Sequence, residues 1–126
     1  MKKTVCTRLL NAKEQPIKSK TISKDPGIYA IIEHDNSMSE ILYVGKSNNP
    51  KRRIKEHLRG DNQEIDRKIK RTAKTRLFVK QVPVHDPGRN EKKYIDCLKE
   101  MGEKLSLNNT GGNSKSKKTK ARRKEQ

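Results

Sequence analysis

Two short runs, Gly27-Ile-Tyr-Ala-Ile-Ile-Glu33 and Glu40-Ile-Leu-Tyr-Val-Gly45, decide how this chain folds. Both are rich in β-branched and aromatic residues, and the polar stretch 34–39 between them reads as the loop of a hairpin. A symmetric loop pairs residues whose numbers sum to 72, which sets Tyr29 opposite Tyr43 and Ile31 opposite Ile41. Directly opposed side chains share a face. The tyrosines are therefore expected side by side, with Ile28, Ala30, Ile32, Leu42 and Val44 on the other face. A slip of one residue would reverse the arrangement.

Working outward, Asn49-Pro50 supplies an N-cap followed by proline at the first helical position. The helix runs to about Arg59 and stops at Gly60. Ile54 and Leu58 form its buried stripe, and Arg53 and His57, four apart, form a second row at the stripe's margin. Asp61 is expected to cap another helix through Thr72, with Ile65, Ile69 and Ala73 inward and Arg67, Lys68, Lys70 and Arg71 outward. Residues 77–82 read as a third strand, and Asp86-Pro87-Gly88 as a turn. Asn90 then caps a last helix whose apolar row is Tyr94, Ile95, Leu98 and Met101, ended by Gly102. The predicted order is β-β-α-α-β-α: an α+β fold with a small three-stranded antiparallel sheet flanked by helices. Glu91 falls on the core-facing side of the last helix. An acid in a first helical turn is also favoured by the helix dipole, which needs no further purpose.

The chain has 126 residues, the size of one domain, with 32 Lys and Arg against 15 Asp and Glu and a net charge of +17. Such a charge favours a polyanionic partner, most often nucleic acid. The longest apolar run, 28–32, is far short of a membrane span. No apolar leader stands at the N-terminus, so an intracellular protein is expected. Cys6 and Cys97 are 91 residues apart in no C-x-x-C motif, and His34, His57 and His85 lack ligand spacing. Reduced thiols are the expectation, without a disulfide or zinc site. Residues 1–25 read as a basic N-terminal arm, with a short strand near 5–10, and 26–112 as the folded domain. Residues 113–126, whose one apolar residue is Ala121, read as a disordered basic tail. That tail suits a sliding arm on nucleic acid, a nuclear-import signal, or simple solvation.

Taken together, Gly27-Ile28-Tyr29 and Tyr43-Val44-Gly45 resemble the paired motifs that name the GIY-YIG nucleases. The run Tyr43-Val-Gly-Lys-Ser-Asn-Asn-Pro-Lys-Arg-Arg-Ile54 resembles the family's second strand, turn and helix. Arg53, ten residues after Tyr43, stands where relatives carry their catalytic Arg, and His57 where they often carry His or Tyr. Glu91 matches the family's metal-binding Glu. Leu107-Asn108 resembles its late Leu-Asn signature, with Asn109 a competing choice. Thirteen residues separate Tyr29 from Tyr43, a few more than is usual, and the excess belongs in the hairpin loop.

The resemblance implies a metal-dependent endonuclease that hydrolyses DNA, duplex or branched, with low intrinsic sequence specificity. Glu91 would bind one Mg²⁺ or Mn²⁺, because Mg²⁺ keeps waters and one carboxylate can suffice. Arg53 would clasp the scissile phosphate through its planar fork, helped by Lys46 and Arg52. A tyrosine needs a proton acceptor or a nearby cation to act as a base. Tyr29 with His57 is one route and Tyr43 with the metal or Lys46 another. Gly27, Gly45 and Asn108 would support the geometry. The alternatives are a non-cleaving nucleic-acid-binding module on the same scaffold, or a basic RNA- or ribosome-associated protein. A partner that adds specificity fits the nuclease reading. The expected location is the nucleus in a nucleated cell and the cytoplasm otherwise.

Overall fold

The computed structural model describes residues 5–60, 63–105 and 107–108. A short helix α1 (Thr7–Leu10) and a two-residue strand β1 (Gln15–Pro16) precede the hairpin β2 (Gly27–Asp35) and β3 (Met38–Ser47). Helices α2 (Pro50–Arg59) and α3 (Glu64–Arg71), strand β4 (Leu77–Pro83) and helix α4 (Pro87–Glu100) follow. The α+β class and the β-β-α-α-β-α order hold from residue 27 onward. The sheet has four strands rather than three, all antiparallel, in the order β1-β4-β2-β3.

The extra strand comes from the segment read as a basic arm. Where a strand was expected near 5–10 the chain forms α1, and Cys6, Leu9, Ile17 and Ile22 are all buried. These stand as single apolar residues or in the short pairs Val5-Cys6 and Leu9-Leu10 in a polar sequence, so no periodic signal marks them. Residues 1–4, Asp61, Asn109 and the tail 113–126 lie outside the described residues.

Central strand β2 is buried over its first six residues and divides the interior in two. On one face Ile28, Ala30, Ile32, Ile41 and Val44 pack with Cys6, Leu9, Tyr94, Cys97 and Leu98 from α1 and α4. On the other, Tyr29, Ile31 and Leu42 pack with Ile54, Ile65 and Ile69 from α2 and α3, and with Ile17 and Ile22. A strand covered on both faces reads as a continuous apolar run, which 28–32 is.

The hairpin corrects the expected register. Its turn is two residues, Asn36–Ser37, with Asn36 in the left-handed region (φ 60°) that Asn tolerates. Asp35 pairs with Met38 and Ile32 with Ile41, but Ile31 then pairs with Tyr43 and Tyr29 with Gly45. Leu42 is the extra residue of a β-bulge, which resets the alternation. Leu42 thus faces α2 and α3 instead of α4, and Ile41 does the reverse. The tyrosines keep a common face but meet diagonally, ring centroids 6.3 Å apart.

Cys6 and Cys97 form a disulfide, with Cα atoms 5.8 Å apart, where reduced thiols were expected. Folding sets Cys6, the N-cap of α1, against α4, a contact that a sequence separation of 91 conceals. The thiol argument for a reducing compartment is thereby withdrawn. Among the described residues no helix is long and apolar enough to cross a membrane.

Two helix starts also differ. Helix α4 begins at Pro87, with Asp86 rather than Asn90 at its N-cap, because proline suits the first turn and Gly88 is tolerated there. Helix α3 begins at Glu64 after Gln63 and ends at Arg71, short of Thr72. The far end of α4 is closed as expected. Gly102 (φ 101°) lets its own N–H donate to the Lys99 carbonyl and that of Glu103 to Leu98. Met101 is exposed rather than part of the apolar row.

Candidate active site

Gly45 shows how tightly the site is built. A Cβ there would stand 2.5 Å from Tyr29 Oη and 2.6 Å from Cζ, so the phenol ring lies over a residue that must lack a side chain. A Cβ at Gly27 would collide with the Val82 carbonyl of β4. Both glycines permit close packing of the strands that carry the tyrosines.

Helix α2 points two residues at this surface. Its start is fixed by Asn49 Oδ1, which accepts from the Arg52 N–H at 3.1 Å, and by Pro50 in the first turn. His57, four residues beyond Arg53, is wholly buried. Its Nε2 lies 2.8 Å from Tyr29 Oη and its Nδ1 2.7 Å from Asp66 Oδ1 on α3. The Tyr43 ring meets the imidazole edge-on at 5.5 Å. Arg53 is half-buried. Its guanidinium donates to Glu56 Oε1 at 3.1 Å and Gln63 Oε1 at 3.4 Å, and it interacts favourably with the Tyr29 hydroxyl.

Glu91 arrives from the opposite layer, on the second turn of α4 rather than the first. The helix dipole therefore does not account for it. It is half-buried and makes no hydrogen bond or ion pair among the described residues. Burial raises its pKa above the ordinary carboxylate value, and Lys46 acts in the other direction. Lys46 and Arg52 are exposed. Asn108 grips the outer edge of β3: its Oδ1 accepts from the Val44 N–H at 2.8 Å and its Nδ2 donates to the Val44 carbonyl at 2.7 Å.

Burial pushes the Tyr29 phenol far up from its ordinary value, and the charges of Tyr43 and Glu91 add to this while Arg53 opposes it. Tyr43 is raised for the same first reason, with Glu91 next. For His57 burial lowers the pKa, and the hydrogen bond with Asp66 opposes that fall. For Arg53 burial acts downward, but Tyr29, Glu56 and Tyr43 outweigh it and the guanidinium is held charged. A neutral imidazole thus sits against a protonated phenol, with a fixed cation beside both.

A family model described as the GIY-YIG catalytic domain matches residues 25–104. The chain belongs to the GIY-YIG family. Members of this family are nucleases, generally endonucleases, and generally use divalent metal ions. No curated protein and no solved structure gives a significant match.

Within this GIY-YIG domain Tyr29, Tyr43, Arg53 and His57 come together on one face of the sheet, and Glu91 acts electrostatically on both tyrosines from α4. Among the described residues no three His, Cys, Asp or Glu cluster as metal ligands. A single half-buried carboxylate without a protein partner still fits Mg²⁺, which keeps most of its waters. Sequence reasoning missed Asp66, the buried partner of His57. One signal was available: Asp66 directly follows Ile65, at the border of the apolar row of α3, where a solvated acid is out of place. Gln63 and Glu56, which hold Arg53, carried none.

Proposed function

We propose that this chain is a divalent-metal-dependent endonuclease that hydrolyses DNA phosphodiester bonds with low intrinsic sequence specificity. The observation that carries the reading is the 2.8 Å contact of Tyr29 Oη with His57 Nε2, beside the Arg53 guanidinium. As Tyr29 passes its proton to the neutral imidazole, its oxygen can take one from an attacking water. The water oxygen then bonds to phosphorus, the bond from phosphorus to the leaving oxygen breaks, and that oxygen takes a proton from solvent. Arg53 holds two phosphate oxygens and offsets charge that grows on them. Lys46 and Arg52 neutralise neighbouring phosphates. Glu91 would hold the metal ion, which when bound polarises the phosphate and stabilises the leaving oxygen. Tyr43 packs against His57 and keeps water from its ring.

DNA is favoured over RNA by composition. RNA readers stack bases on aromatic platforms, and only 3% of this chain is aromatic, with Tyr29 and Tyr94 buried. Cations in number with few base-reading groups bind backbone more than sequence.

Nicking of supercoiled plasmid with Mg²⁺, Mn²⁺ or EDTA tests this directly. Metal-dependent nicking that Glu91→Ala abolishes, with DNA binding retained, supports it. Binding without cutting in every condition would favour the non-cleaving module, and RNA preference insensitive to Glu91→Ala the RNA-associated protein.

A further inference from the structure

Helix α3 is mostly basic on its outer side, yet it buries a carboxylate. Asp66 is 4% exposed, and its one ion-pair partner among the described residues is His57, at 2.7 Å through Nδ1. Room is kept for it: a Cβ on Gly60 would stand 2.6 Å from Asp66 Oδ2. The turn after α2 therefore closes directly onto this carboxylate.

We propose that Asp66 is a positioning residue that locks His57 in the tautomer able to take the Tyr29 proton. An ionised carboxylate only accepts hydrogen bonds, so Nδ1 must carry the imidazole hydrogen. Nε2 then presents its lone pair to Tyr29 Oη, and the phenol has to be the donor. With the hydrogen on Nε2 instead, Tyr29 would accept from the ring and could not deliver its proton there. Asp66 also stabilises the imidazolium once the proton has moved, at a depth where water cannot. It is too deeply buried to meet the phosphate and acts through His57. The inference rests on the proton transfer proposed above. A second reading of the same contact is a plain staple between α2 and α3.

The ¹⁵N shifts of the His57 ring at neutral pH separate the two. The wild-type protein should show a protonated Nδ1 and an unprotonated Nε2. Asp66→Asn, which can donate to Nδ1, should move the hydrogen to Nε2 while the fold and DNA binding persist. Nicking should then fall by about 10²- to 10⁴-fold, the usual loss with a general base. A wild-type ring protonated on Nε2 overturns the proposal even if the variant fails to fold. So does an Asp66→Asn protein with the tautomer changed and nicking undiminished. If the tautomer shifts as expected but wild-type protein never nicks DNA, the nuclease reading fails and the positioning role with it. The lock as a structural fact would then stand alone.

Discussion

At the scale of single residues, Tyr29 and Gly45 form one unit, because the ring of the first occupies the space a side chain on the second would need. Gly45→Ala should displace the ring, lower stability by about 1–3 kcal/mol as overpacking does, and cut nicking more than it cuts DNA binding. Chemical denaturation and plasmid assays would show both. The buried His57 makes a pH prediction. Its pKa is lower folded than the ordinary 6.5, so below that pH the unfolded chain binds a proton that the folded chain refuses. Stability should therefore fall as pH drops from about 6.5 toward the folded value. Melting temperature against pH, compared with His57→Gln, checks the slope. Much of this constellation was legible beforehand, since Tyr29, Tyr43, Arg53, His57 and Glu91 sit in recognisable order along the chain. Asp66 was not, because its partner is nine residues away on another helix and only packing joins them.

At the scale of elements, the two ends of the described chain act as clamps. The Asn108 side chain satisfies both backbone groups of Val44 on the outer edge of β3. Asn108→Ala leaves them without that partner and should cost about 1–3 kcal/mol, with faster amide exchange at Val44 as the direct sign. The disulfide joins α1 to α4, the helix that carries Glu91. Reduction, or Cys97→Ala, should lower stability by about 2–4 kcal/mol, read as a lower melting temperature in the presence of a thiol. These features were hard to read for a physical reason. Periodicity reveals an element that contributes a stripe, whereas α1 buries one residue, Leu9, and β1 none of its own. The start of α4 was misplaced because Asp-Pro-Gly is turn chemistry and helix-entry chemistry alike. The hairpin register failed first because the two-residue turn Asn36–Ser37 already shifts the pairing by one, and then because the bulge at Leu42 shifts the tyrosine half by one more.

At the scale of the whole molecule, a charge of +17 makes association with a polyanion a counterion-release problem. On B-DNA the logarithm of affinity should fall linearly with the logarithm of salt, by about 0.9 per phosphate neutralised. Exposed Arg52→Ala should reduce that slope by about one contact and weaken all sequences alike, a comparison that titrations at several salt concentrations supply. A sequence-selective loss would place base reading where backbone contact is expected.

The bulge at Leu42 has a practical consequence. It uncouples the tip of the hairpin from the half that carries the tyrosines, so the extra length between Tyr29 and Tyr43 projects beyond the sheet as an exposed ribbon. Both native cysteines are already joined to each other. A Ser37→Cys variant would thus offer a single reactive thiol at the tip, an attachment point for a fluorophore remote in register from Tyr29. Dye placed there would report docking of labelled substrate by energy transfer while leaving the reacting groups untouched.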